Sequence, residues 1–515
     1  MEAGERLGVV DLGSNSFRLV VFMAGDGWWR RTDEIYEPVR IGEGLAASGE
    51  LGERPIARAL ATLDVFAHFC RASGLDEEHV DAVATSAIRE AHNAEAFLVP
   101  ARERFQGAIR VLGREQEAYY AYLAAVNSTT LEQGCVLDLG GGSLQLLRVE
   151  DRLPRQCGSW RVGTVLMSER YLPANGPPKR KQLDELRRHI SQELSDARWL
   201  KRLGRDGGRL VGLGGTVRNL AAAAQRAAGL PSIGVQGMVI ERTALEELIV
   251  RLAELPARER ASIPGIKPAR ADLILAGAIV VHTVLETGGF ESLGVTEAGL
   301  REGVFFERLL GGNPGGHGRP PMFEDIRSTS VLNMARQYAV DAAHTEHVAA
   351  LALGMFDKLA ALGLHEGEPR ERELLWAACM LHDIGMSIDY DDHHKHSRYL
   401  ILNGGLPGFA PVETAIIAQA ARYHRKGMPS PGPMAPLFGP GDAERLDRCA
   451  TLLRLAEDLE RSRDQLVRRA LLEETDGTVE LRLVADGDSA VPSWAARREG
   501  ELFERAFRRE LRVAA

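Results

Sequence analysis

Two segments of this chain repeat one pattern, and that repetition constrains it more than any other feature. Leu7–Phe22 reads as strand, tight turn, strand, with Asp11 closing the first strand and Gly13, Ser14, Asn15 and Ser16 in the turn. Cys135–Leu147 repeats it, so that Asp138 falls on Asp11, Gly140 on Gly13 and Ser143 on Ser16. Either turn alone would pass for an ordinary hairpin turn. Two copies with Asp in register make the chain read as duplicated.

The residue types suggest a chemistry. Glycines let a turn take unusual backbone angles and let a ligand approach the backbone closely. Successive N–H groups can then point into one concavity and cradle phosphate oxygens, with serine hydroxyls adding uncharged donors. An Asp beside each turn repels phosphate unless a divalent cation stands between them, and Mg²⁺ suits carboxylate, phosphate and water together. Two facing turns would clasp one phosphate chain. A third glycine loop, Val211–Thr216, precedes an Ala-rich helical stretch, and Val295–Gly303 either contributes Glu297 or is simply a strand–helix turn.

Five motifs occur in order: Asp11–Ser16, Thr85–Ala91, Glu115–Ala118, Asp138–Ser143 and Gly212–Thr216. Together they resemble the exopolyphosphatase / guanosine-pentaphosphate phosphatase family of the acetate kinase–sugar kinase–Hsp70–actin superfamily. The resemblance implies an α/β actin-like fold of duplicated, ribonuclease H-like halves (1–127 and 128–310) with the active site in their cleft. It also implies a linker (311–321), an all-α HD-like domain (322–465) and a small C-terminal α/β cap (466–515). Carried over, Asp11 and Asp138 would hold Mg²⁺, with Mn²⁺ or K⁺ as further candidates. Ser14, Asn15, Ser16, Gly140, Gly141, Gly142 and Ser143 would bind the terminal phosphates. Gly214, Gly215 and Thr216 would lie against a nucleotide or the far part of the phosphate chain. Arg89 would bind phosphate, and Glu117 would orient and deprotonate the attacking water. Gln145 stands where the family usually has Glu, and it keeps hydrogen bonding without charge.

The residues support those roles on their own terms. Phosphoryl transfer asks a protein mainly for positioning and charge neutralisation, and the planar fork of Arg89 matches phosphate oxygens. Its alternative is a salt bridge at a helix start. Glu115 and Glu117 cannot both face the cleft at helical spacing. A carboxylate near phosphates and low-dielectric walls would have a raised pKa, which suits a general base.

The Gly- and Pro-rich stretch 311–321 reads as the linker. Beyond it, helix-period apolar runs recur at 328–337, 343–362, 373–381, 413–424 and 443–462. His344, His382-Asp383 and Asp458, each on a different helix, resemble the HD metal-dependent phosphohydrolase domain, with His393, His394 and His396 close by; His347 is left outside the metal set. Such ligands can close on one divalent ion in a bundle. The site is either a second active centre or, as the family resemblance favours, a retained fold that lengthens a polyphosphate channel and makes a dimer contact. Arg422, His424, Arg425 and Lys426 would then be channel cations, or else an ordinary basic helix end. Residues 478–484 alternate as a strand, followed by a basic amphipathic helix to Arg512.

A formal charge of −9 argues against general nucleic-acid binding. The basic stretch Lys179–Arg209 is either a local groove for a polyanion or a solvated helix face. The N-terminus carries acid and no apolar stretch, unlike a secretory signal, and Leu273–Leu285 is short of a membrane span. Five scattered cysteines form no CxxC pair and are expected to be reduced. The expectation is a cytoplasmic enzyme, homodimeric by resemblance. It would hydrolyse the terminal phosphoanhydride of inorganic polyphosphate or, alternatively, of guanosine pentaphosphate; a non-catalytic nucleotide sensor is the reading from another class.

Overall fold

A computed structural model describes residues 4–105, 108–312 and 318–514. Its contacts divide the chain into two units, Glu2–Ile326 and Arg327–Ala515. Residues 313–317 of the expected linker lie outside the described residues. Beyond them, the carbonyl of Pro321 accepts from Asn127 at 3.1 Å and the N–H of Phe323 donates to Asn127 at 2.9 Å.

The first unit holds two sheets of matching topology. β1 (Glu5–Leu12), β2 (Phe17–Gly25), β3 (Trp28–Glu37), β4 (Val80–Ala84) and β5 (Ile109–Val111) lie in the order β3-β2-β1-β4-β5. β1–β2 and β2–β3 are antiparallel, whereas β4 runs parallel to β1 and β5 to β4. β6 (Gly134–Leu139), β7 (Leu144–Glu150), β8 (Leu153–Trp160), β9 (Arg209–Leu213) and β11 (Ser292–Val295) repeat that arrangement, and β10 (Val239–Glu241) adds an antiparallel edge. This is the duplicated actin-like architecture. The register places Arg18 opposite Asp11 and Gln145 opposite Asp138.

Composition explains the layers. Val9, Val10, Leu12, Val136, Leu137 and Leu139 are buried at consecutive or near-consecutive positions, as in strands covered on both faces. Helix Glu53–Ala72 covers one sheet with Ala59, Leu63, Phe66 and Ala67. The second sheet is covered by helix Ile274–Gly288, which is apolar nearly all round and buried on every side. Helices Arg114–Val126 and Leu300–Leu309 cross where Gly303 meets Tyr120; a Cβ there would fall 2.0 Å from the Tyr120 carbonyl oxygen. Around this crossing Val9, Val20, Val136, Leu147, Val211 and Phe305 share one core, so the two sheets are fastened through a common centre.

The second unit is helical at its heart: Ala342–Ala361, Pro369–Leu381, His393–Gly404, Pro411–Tyr423 and Asp442–Leu459. Its C-terminal part corrects the expected basic helix to Arg512. Two short helices, Ala490–Arg497 and Gly500–Phe507, end at Arg508 with φ 55°. The alternating Glu510–Val513 then forms β14, parallel to β13 (Thr478–Ala485), which also pairs with β12 (Val467–Thr475). The left-handed turn at Arg508 breaks the helix, and a period of two replaces one of 3.6. Among the described residues no helix is long and apolar enough to cross a membrane.

Candidate active site

The two glycine turns are built alike. Gly13 donates to the Ser16 carbonyl at 3.2 Å, and Gly140 donates to that of Ser143 at 3.0 Å. In both, the outward carbonyls are already engaged. Those of Ser14 and Asn15 accept from Gly42 and Arg40 at 3.1 and 2.9 Å. Those of Gly140 and Gly141 accept at 2.9 Å from Thr164 and Val165, the first N–H groups of helix Thr164–Tyr171. Gly163 makes this docking possible, since a Cβ there would fall 2.3 Å from Gly142. Among the described residues the N–H groups of Ser14, Asn15, Gly141 and Gly142 donate to no protein acceptor. Two turns with carbonyls tied back and N–H groups free can receive an anion.

Around them lies a cavity of about 160 Å³ lined by Asp11, Glu117, Asp138 and the arginines 18, 218, 270 and 301. Glu117 is 6% exposed while Glu115 is exposed, so helix Arg114–Val126 turns only the former inward. Arg89 donates to the Glu117 carboxylate and, at 2.8 Å, to the Leu112 carbonyl; its Nε and Nη2 are buried without a hydrogen-bond acceptor. Arg301 reaches Asp11 at 3.3 Å, and its Nε is likewise unsatisfied. Such buried donors are costly unless a ligand meets them.

Burial raises the pKa of Asp11, against the pull of Arg301 and Arg18. Burial also raises Glu117, against Arg89. Burial, reinforced by Glu117 and Asp11, pushes Asp138 up to about 7. The Asp138 backbone is held in the β6 ladders, but among the described residues its carboxylate makes no hydrogen bond or ion pair. Glu117 and Asp11 both disfavour the charge of Asp138, as Asp11 does that of Glu117, and oxygen donors in such a setting, Asp11 and Asp138 here, are of the type a hard divalent cation takes.

Several expected residues fall elsewhere. Thr216 is 2% exposed and turns toward Gly277 under helix Ile274–Gly288; it does not line the cleft, although Gly214 and Gly215 do. Gly142 lines a neighbouring cavity instead, whereas Ser143 does line the cleft and its hydroxyl accepts from the buried Gln145 at 2.8 Å. Glu297 is structural: its carboxylate accepts from the Val235 N–H at 2.8 Å, and its carbonyl holds Arg218 at 2.9 Å. The basic stretch around Arg180–Glu193 is an exposed helix face with pairs such as Lys181–Glu185 at 3.8 Å. Arg18, Arg218, Arg270 and Arg301 were not anticipated. Only Arg18 carried a signal, because the duplication sets it against Asp11 as Gln145 is set against Asp138.

The Ppx/GppA phosphatase family model matches residues 26–311, more than half of the chain. The chain belongs to the Ppx/GppA phosphatase family. The model of the family's domain III matches residues 326–489. The crystal structure of an Aquifex aeolicus Ppx/GppA family member is 30% identical, with TM-score 0.52, covering 59% of this chain and 98% of that one. An exopolyphosphatase from Cytophaga hutchinsonii is 22% identical, with TM-score 0.55, covering 61% and 100%; it bears on the fold.

In the domain III region, His344, His382 and Asp383 converge, as do Asp383, His393 and His424. Glu457, not Asp458, closes on the first group, 3.0 Å from His344 and 3.2 Å from His382. Asp458 pairs with Arg461 at 3.3 Å. Successive helix residues point about 100° apart, so only one of the two can face inward. His424 is buried in this cluster and is no channel cation.

Proposed function

We propose that the chain hydrolyses the terminal phosphoanhydride of inorganic polyphosphate, releasing orthophosphate by in-line attack of water. The observation that carries this reading is the pair of matching turns with free N–H groups beside Glu117 and unsatisfied arginine donors. In it, Ser14, Asn15, Ser16, Gly140, Gly141 and Ser143 seat the terminal phosphates. Glu117 holds the attacking water and takes its proton, with Arg89 keeping the carboxylate in place. Arg301, Arg218 and Arg18 neutralise charge growing on the equatorial and leaving oxygens. Asp11 and Asp138 would hold Mg²⁺ or Mn²⁺, which when bound supplies further charge neutralisation and orientation.

One observation favours a second substrate with the same terminal group. A cavity of about 610 Å³ shares Ser14, Asn15, Ser86 and Gly141 with the cleft. Its wall carries Glu43, Glu90, Glu169 and Asp272 against Arg40, Arg161 and Arg260, with Leu45, Val165, Leu166, Leu172 and Leu273. An apolar wall without excess positive charge suits a nucleoside better than a long polyanion, which points to guanosine pentaphosphate. Phosphate release from long-chain polyphosphate and from guanosine pentaphosphate, measured side by side with Glu117→Ala as control, separates the two. Release from neither substrate would refute both.

A further inference from the structure

Besides Arg89, the motif Thr85–Ala91 brings a second polar side chain to the two turns. Strand β4 runs parallel to β1 with Ala84 beside Leu12, and the Thr85 N–H donates to the Leu12 carbonyl at 3.3 Å. That pairing carries the chain on to Ser86 and Ala87 at the side of the first turn. The Ala87 N–H donates to Ser14 Oγ at 3.2 Å, and Ser14 Oγ lies 2.9 Å from Ser86 Oγ. Ser86 is 7% exposed and lines both cavities.

The protons of this pair can be counted. Each serine brings one hydroxyl proton, and the bond between the two oxygens uses one of them. Ser14 already accepts from Ala87, and among the described residues neither oxygen has a further partner. Whichever serine donates to the other, one O–H is left without an acceptor. If Ser86 donates, both lone pairs of Ser14 are filled and Ser14 holds the spare proton; if Ser14 donates, Ser86 holds it. A part-buried hydroxyl proton left unspent is costly unless a ligand takes it.

The second half faces this pair with bare backbone. A Cβ on Gly142 would lie 3.2 Å from Ser86 Oγ, and one on Gly141 would lie 3.8 Å from Ser14 Cβ. The N–H groups of both glycines donate to no protein acceptor among the described residues. Unspent donors from the two halves therefore meet where Ser14 and Ser86 come up to Gly141 and Gly142.

We propose that Ser86 is a further phosphate-binding residue of the cleft: with the Ala87 N–H and Ser14 it forms a chain of hydrogen bonds whose last proton goes to an oxygen of the terminal phosphoryl group, opposite the N–H groups of Gly141 and Gly142. This rests on reading the cleft as a phosphate site. The hydroxyls are uncharged, so they add a directed contact without adding to the charge of Arg18, Arg218 and Arg301. The two serines act as one donor. Removing the one that ends the chain takes the whole contact, and removing the other loosens its aim.

The test is read as binding, so it does not depend on turnover. The full chain carrying Glu117→Gln is titrated with tripolyphosphate in Mg²⁺ by calorimetry, alone and with Ser86→Ala, Ser14→Ala or both added. The substitution that removes the last donor should weaken binding about tenfold and the other single substitution less, with the double variant matching the weaker single one. Which single variant it matches identifies the serine that ends the chain. Ser86→Ala binding as tightly as its parent, single losses that multiply in the double variant, or no binding of tripolyphosphate overturns the proposal. Should the expected losses appear while the unmutated chain releases phosphate from neither polyphosphate nor guanosine pentaphosphate, the hydrolase reading falls and the phosphate site stands.

Discussion

Glu117 stands between opposed influences: burial raises its pKa, and Arg89 lowers it. As the base it works deprotonated, so kcat/KM should rise with pH along an acid limb above the ordinary carboxylate range. In Arg89→Ala burial acts unopposed, and that limb should move to higher pH; a pH–rate profile checks it, and an unmoved limb removes Glu117 from the role. Glu117→Gln should lower kcat by about 10²–10⁴ with the melting temperature unchanged. At this scale the sequence was legible where residues sat in motifs, as Asp11, Asp138 and Glu117 did. It was not legible for Arg218 and Arg270, lone arginines brought to the cleft only by packing. Nor could spacing choose between Glu457 and Asp458, since which one faces inward depends on how the helix is rolled against its neighbours.

Among the elements, the turn Gly140–Ser143 depends on a helix start docked against its carbonyls. Gly163→Ala would press a methyl onto Gly142 and Ser143. We expect a loss of about 1–3 kcal/mol in stability and a raised KM with a smaller change in kcat, read by thermal melting and steady-state kinetics. Strand pairing around both turns followed from the repeated sequence, because alternating apolar runs with Gly between them leave few other folds. The role of Gly163 did not, because its partners are distant in sequence and the closeness appears only in three dimensions. The C-terminal segment misled for a related reason: Leu502, Phe503 and Phe507 fit an amphipathic helix, and the change of period at Arg508 spans too few residues to register.

For the whole molecule, the common core beneath the crossing of Gly303 and Tyr120 joins both sheets into a unit that ends at Ile326. A chain truncated after Ile326 should fold and release phosphate; a folded but inactive truncation would refute the assignment of the chemistry to this unit. The duplication made this half legible, whereas in the second unit helical period and a resemblance picked out His344, His382, Asp383 and Asp458 but not Glu457 or His424, whose convergence is a matter of tertiary packing.

The engaged carbonyls of the two turns have one more consequence. Where a ligand meets the turns themselves it finds donors and no free carbonyl, so that end of the cleft reads charge and shape, and acceptors are supplied by the carboxylates opposite. Vanadate, sulfate and short carboxylates should therefore compete with substrate, while neutral polyols of similar size should pass unnoticed, whichever phosphate chain the enzyme meets.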